Sequence, residues 1–196
     1  MAHGDFFVRV RWSEPHLSGD KATVKPATPP ERLAFLRAGP CERICRKPED
    51  VRAAIVTCGG LACGLNVVVR EIVMALWFQY DVRTVFGIRK GYRGFYSEDE
   101  PPIELTPKSV SAIHTEGGTV LGSSRGGFDA EKIMGGIKRL GINAVFVIGG
   151  DGTHRGALVL AKALSKAGVD TAVAGVPKTI DRDIPMIDRT FGFDTA

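Results

Sequence analysis

From Val51 onward, short apolar runs alternate with amphipathic segments, and that alternation constrains the fold more than any other feature of the chain. The segments are 52–57, 66–80, 84–88, 107–116, 119–122, 129–140, 143–148, 156–167 and 171–176. Read as strand and helix in turn, they predict an α/β domain, doubly wound, with a mostly parallel sheet between two helical layers. Residues 1–50 carry Pro15, Pro26, Pro29, Pro30 and Pro40 with no sustained periodicity, which predicts an N-terminal extension that is partly disordered. The folded domain is then expected over 51–196.

A chain of 196 residues that is 44% hydrophobic buries one sizeable core, and 24 glycines suit many tight strand-to-helix turns. The net charge of +4 suits an anionic ligand. Lys and Arg are scattered, however, and form no basic tract, so no nucleic-acid partner is expected. Cys41, Cys45, Cys58 and Cys63 contain no C-x-x-C spacing. A four-thiolate zinc site drawn from them competes with reduced structural thiols, and the thiols are the preferred reading, in keeping with a reducing compartment. No apolar stretch reaches the roughly 18 residues of a membrane span, and the N-terminus lacks the apolar core of a secretory signal. Asp5 and Glu14 suit a transit peptide poorly. The expected compartment is the cytoplasm, with a plastid left open.

Two motifs carry chemistry. Gly149-Gly150-Asp151-Gly152-Thr153 follows the apolar run 144–148 directly. At the end of a parallel strand, glycines let phosphate oxygens approach backbone N–H groups and the next helix N-terminus. Asp151 then stands where a hard cation bridging phosphates takes a carboxylate. A plain Asp-capped turn reads equally well from this motif alone. The second motif, Pro177 to Pro185, follows the run 171–176 and holds Asp181 and Asp183 two residues apart. In an extended segment both point to one side, so that one takes a proton from a hydroxyl while the other assists. A solvated charged loop is the alternative. Together the motifs suggest phosphoryl transfer.

From about residue 37 to 196 the chain resembles the phosphofructokinases, and most of all their plant ATP-dependent branch. The resemblance is carried in order by Arg37 to Pro40, Ile55 to Leu61, Gly64-Leu65-Asn66, Gly91 to Tyr96, Gly117-Gly118-Thr119, Leu121 to Gly127, Gly149 to Thr153, Pro177 to Asp183 and Phe191 to Ala196. It implies ATP-dependent phosphorylation of fructose 6-phosphate to fructose 1,6-bisphosphate in glycolysis, with Mg²⁺, by a protein that is a homo-oligomer when complete. By the same resemblance Gly59, Tyr92, Arg125, Gly126 and Gly150 to Thr153 bind ATP, with Asp151 holding the metal. Thr179, Ile180 and Asp181 contact the sugar phosphate, Asp181 is the base toward its 1-hydroxyl, and Asp183 assists. Gly152 leaves room for the α-phosphate of ATP, where an aspartate accompanies pyrophosphate use in this family. Lys178 is shared by both kinds of enzyme.

The chain departs from the family pattern in three places. Ala62-Cys63 stands where Cys-Pro is usual, so the stiffening proline is missing. Arg182 replaces an asparagine between the two aspartates, where a cation lowers the pKa of its neighbours or occupies phosphate space. The arginines, histidine and glutamate that clamp the sugar phosphate are expected in a second domain beyond Ala196. Two alternatives therefore stand beside the kinase: a non-catalytic nucleotide-binding remnant or regulatory subunit, and another kinase with the same glycine-rich turn.

Overall fold

The structure, a computed structural model, describes residues 46–181, 184, 187 and 189–195. Most of the expected N-terminal extension lies outside the described residues, as do Arg182 and Asp183. Strands β1 (Arg52–Thr57), β2 (Thr84–Ile88), β3 (Ile103–Glu104), β4 (Ala144–Gly149) and β5 (Ala172–Pro177) form one sheet. Helices α1 (Leu65–Phe78), α2 (Ala130–Leu140) and α3 (Asp151–Lys166) connect them, with 3₁₀ turns at Pro48–Asp50, Gly91–Phe95 and Ile113–Thr115. The strand order is β3-β2-β1-β4-β5. All neighbours run parallel except β2 and β3.

Burial on both faces explains why β1 and β4 read as unbroken apolar runs rather than alternating ones. Ala54 and Val56 of β1, with Val145 and Val147 of β4, pack against Ile133 and Ile137 of α2 and Leu160 and Leu164 of α3. Ala53 and Ile55 point the other way, to Leu65, Val69 and Val73 of α1. Helix α2 is bounded by local chemistry. The Asp129 side chain accepts from the Lys132 N–H at 3.1 Å, and Gly141 closes the helix with φ 65°.

Two adjacent glycines in α2 have opposite duties. A Cβ at Gly136 would lie 2.1 Å from the Phe95 carbonyl oxygen, so the helix and the Gly91–Phe95 turn approach that closely only because it is absent. A Cβ at Gly135 meets nothing within 4 Å. Gly136→Ala is expected to lose about 3 kcal/mol by overpacking, whereas Gly135→Ala gains about 1 kcal/mol from helix propensity. Urea unfolding of the two variants checks the opposite signs.

The sheet differs from the sequence expectation at one strand. The run 119–122 is a tight turn, with the Gly122 N–H donating to the Thr119 carbonyl at 3.1 Å. Its polar groups are met without a ladder: Asn66 Oδ1 accepts the Val120 N–H at 2.8 Å, Thr57 Oγ1 donates to the Gly122 carbonyl at 2.6 Å, and the Leu121 carbonyl accepts the Lys90 N–H at 2.8 Å. The sheet instead gains β3, a strand the sequence pattern does not predict, antiparallel to β2 at the edge. The helix expected over 107–116 is mostly turns with one short 3₁₀ segment. Hydroxyls compete with helical bonding there: Ser109, Ser111 and Thr115 each donate to the carbonyl three residues earlier.

Candidate functional site

The parallel strands β1, β4 and β5 bring their carboxyl ends to one edge, and four separate loops meet there around a cleft of about 770 Å³. The loops are stitched to one another through the backbone. The Cys58 N–H donates to the Ile148 carbonyl at 2.8 Å, the Gly59 N–H to the Ser124 carbonyl at 3.0 Å and the Lys178 N–H to the Gly149 carbonyl at 2.9 Å. Ser123 Oγ adds a bond to the Gly59 carbonyl at 2.7 Å. Gly59 itself has φ 85°, a conformation that disfavours any side chain.

Gly59, Tyr92, Arg125, Gly126, Gly150, Gly152, Thr153, Thr179, Ile180 and Asp181 all line this cleft. Asp151 does not. It is the first residue of α3, and its carboxylate is engaged by Arg155 one turn later, with Nη2 to Oδ2 at 3.0 Å. Asp183 lies outside the described residues. Asp181 is exposed, and its N–H donates to Thr179 Oγ1 at 3.1 Å. Thr179 is buried, with its carbonyl taking the Thr190 hydroxyl at 2.6 Å, while Ile180 is 47% exposed. The turn at the head of α3 is tight: a Cβ on Gly149 would lie 2.5 Å from the Thr153 side chain.

Two residues matter more here than their motifs indicate. Lys178 is buried in the cleft wall and donates through Nζ to the Gly60 carbonyl. Desolvation lowers its pKa and nearby Arg125 adds to this, while Cys58 opposes both. Phe128, 37% exposed, belongs to none of the motifs above. Its ring meets Tyr92 edge-on at 5.1 Å and 76°, forming an aromatic corner of the cleft. The only sequence signal is an aromatic residue placed directly after Gly126-Gly127. Tyr92 is fixed by donating its hydroxyl to the Thr153 carbonyl at 2.8 Å, and burial, followed by the nearby Cys58, raises its pKa.

The loop lacking the usual proline has other support. Gly192 has φ 82°, and a Cβ there would lie 2.8 Å from the Cys63 carbonyl oxygen, so the 191–195 turn packs directly on Ala62-Cys63. Cys58 and Cys63 are free thiols of opposite character. Burial pushes the Cys58 thiol up to about 12, against the opposing pull of the Tyr92 backbone N–H and Lys178. Cys63 is exposed. In a Cys41→Ser/Cys45→Ser background, maleimide at pH 7.5 is therefore expected to label Cys63 rapidly and Cys58 only on unfolding. Peptide mass spectrometry reads the difference. The raised Cys58 pKa also has a stability sign. The folded chain holds this proton above the ordinary thiol value of 9.0, so the contribution is complete below that pH and is lost as pH rises through about 12.

Among the described residues no three His, Cys, Asp or Glu side chains form a metal cluster. A Mg²⁺ ion keeps water and phosphate oxygens for most of its shell and needs few protein ligands, so a single carboxylate at a helix N-terminus, such as Asp151, is chemically compatible with it.

A profile described as Phosphofructokinase matches residues 52–196. ATP-dependent 6-phosphofructokinase 1 of Arabidopsis thaliana is 51% identical over 176 residues, covering 90% of this chain and 37% of that protein. The chloroplastic ATP-dependent 6-phosphofructokinase 4 of the same plant is 52% identical over 162 residues, covering 83% of this chain and 30% of its own length. The chain thus spans about a third of the length of these curated relatives. Among solved structures, a pyrophosphate-dependent phosphofructokinase from Marinobacter aquaeolei shares the fold, with TM-score 0.67 at 23% identity over 73% of this chain and 37% of that one. The profile covers the whole sheet and every loop that meets at its carboxyl edge, and with half the residues identical to named relatives, the chain belongs to the phosphofructokinase family.

Proposed function

We propose that this chain is the nucleotide-binding part of an ATP-dependent 6-phosphofructokinase, a transferase that moves the terminal phosphoryl group of ATP to the 1-hydroxyl of fructose 6-phosphate. The observation that carries the proposal is the single cleft in which Gly59, Arg125, Gly150, Gly152 and Thr153 line the wall together with Thr179, Ile180 and Asp181. The proposed donor and acceptor motifs, separate in sequence, share one cleft, which is what direct transfer between two bound substrates requires.

In this reading the backbone N–H groups at the head of α3 and the Arg125 guanidinium hold the phosphates of ATP. The Tyr92 and Phe128 rings bound the nucleoside side. Asp181, exposed to the cleft, accepts the proton of the sugar hydroxyl, with Asp183 assisting. Asp151 is the residue that would hold Mg²⁺, in exchange for Arg155. When bound, that ion neutralises charge on the phosphates. ATP is favoured over pyrophosphate because a Cβ at Gly152 meets nothing within 4 Å, so this side of the turn is open to the α-phosphate.

The remainder of the sugar-phosphate site belongs to a second domain in this reading, and the complete protein is a homo-oligomer that acts in glycolysis. The proposed compartment is the cytosol, with a plastid as the second choice. No helix among the described residues is long and apolar enough to cross a membrane. Calorimetric titration of the 196-residue chain is expected to show saturable MgATP binding and far weaker binding of magnesium pyrophosphate. Absence of MgATP binding in a folded chain contradicts the proposal.

A further inference from the structure

His154 sits in the first turn of α3 and makes two bonds to one atom. Its backbone N–H donates to the Gly150 carbonyl at 3.0 Å, as the helix requires. Its ring Nδ1 reaches the same oxygen at 2.9 Å, and since a carbonyl only accepts, Nδ1 carries the proton. The other ring nitrogen, Nε2, is buried with no partner. An orphaned buried acceptor is costly and calls for an explanation. The ring is seated against β5 at Gly175, where a Cβ would lie 2.6 Å from His154 Cδ2 and 2.7 Å from Nε2. Any other residue at 175 displaces the imidazole.

The Gly150 carbonyl belongs to the peptide whose N–H is that of Asp151. Because the peptide is planar, fixing its oxygen also fixes that N–H, which points the opposite way, out of the helix N-terminus. Gly149, Gly150 and Gly152 have no side chains with which to hold the turn, and glycine loses the most conformational entropy on ordering. We infer that His154, seated by Gly175, is a positioning residue that pins the Gly150–Asp151 peptide so that the turn's N–H groups are already aimed at a phosphate before one arrives. The orphaned Nε2 is the cost of this arrangement. Its effect on nucleotide binding rests on the ATP reading above, whereas the pinning itself does not.

The test uses the full chain with His154→Phe, which keeps a ring but removes both nitrogens, and His154→Asn, whose amide can replace Nδ1–H. Amide order parameters of Asp151 and Gly152 are measured without nucleotide, and MgATP affinity and Tm alongside. His154→Phe is expected to loosen both amides and weaken MgATP about tenfold, as loss of one part-buried hydrogen bond predicts, without lowering Tm, because the orphaned Nε2 is removed with it. His154→Asn is expected to restore the amides and most of the affinity. Gly175→Ala should resemble His154→Phe, and it should add little in that background because the two act through one ring. Unchanged amides in His154→Phe, or His154→Asn as impaired as His154→Phe, overturn the inference. A parent chain that ignores MgATP while the Phe variant still loosens overturns the ATP reading and leaves the pinning standing.

Discussion

Asp181→Asn in the complete natural protein is expected to lower kcat by on the order of 10²–10⁴-fold, the usual worth of a positioned proton acceptor, while leaving MgATP affinity within about twofold of the parent. The side chain is exposed to the cleft, and the bond that holds its segment runs from its backbone N–H to Thr179 Oγ1, which the substitution leaves in place. Folding should therefore be unaffected, and a fall in kcat with Kd for MgATP unchanged isolates the lost acceptor. Single-turnover kinetics beside nucleotide titration makes the measurement. A large loss of ATP affinity, with turnover retained at saturating ATP, contradicts the role assigned to Asp181.

Gly152→Asp is expected to cost more in binding than any other single change in the turn. The position lies in the first turn of α3 with open space around it, so the variant folds, and a carboxylate near a helix N-terminus is if anything stabilising. In the proposed site that same carboxylate stands next to Asp151 in sequence and on the side assigned to the phosphates. At an effective dielectric of about 20, a like charge some 5 Å from a phosphate costs about 3 kcal/mol, on the order of a 100-fold loss of ATP affinity. Gly152→Ala separates size from charge and should lose far less. Equal losses for the two would make the effect steric, and no loss for either would remove Gly152 from the nucleotide site.

The parts of the fold legible in the sequence are those where periodicity and burial agree. β1, β2 and β4 are apolar runs closed by glycine or a polar residue, as a sheet covered on both faces requires, while β5 is legible from its apolar run alone, since it lies at the edge with no fully buried residue. β3 has only two residues and no pattern to read. The 119–122 segment misleads because Leu121 is buried like a strand residue, yet Val120, Leu121 and Gly122 bond to Asn66, Lys90 and Thr57, which are distant in sequence, and join no strand ladder. The convergence of the site loops follows from parallel topology alone. Three details do not. Phe128 reaches the cleft through the path of a glycine pair, the desolvation of Lys178 depends on how β5 sits against β1 through β4, and the Arg155 contact with Asp151 appears only once α3 starts at that aspartate. The first two depend on tertiary placement that no local pattern encodes, and the third, an i,i+4 pair, on where the helix begins.

The central claim, that this chain serves ATP-dependent phosphorylation of fructose 6-phosphate, is tested most directly by assaying the complete natural protein for fructose 1,6-bisphosphate with MgATP or with magnesium pyrophosphate as donor. The account predicts product with ATP and little with pyrophosphate. Product with pyrophosphate alone, or with neither donor from a folded protein that binds MgATP, contradicts it.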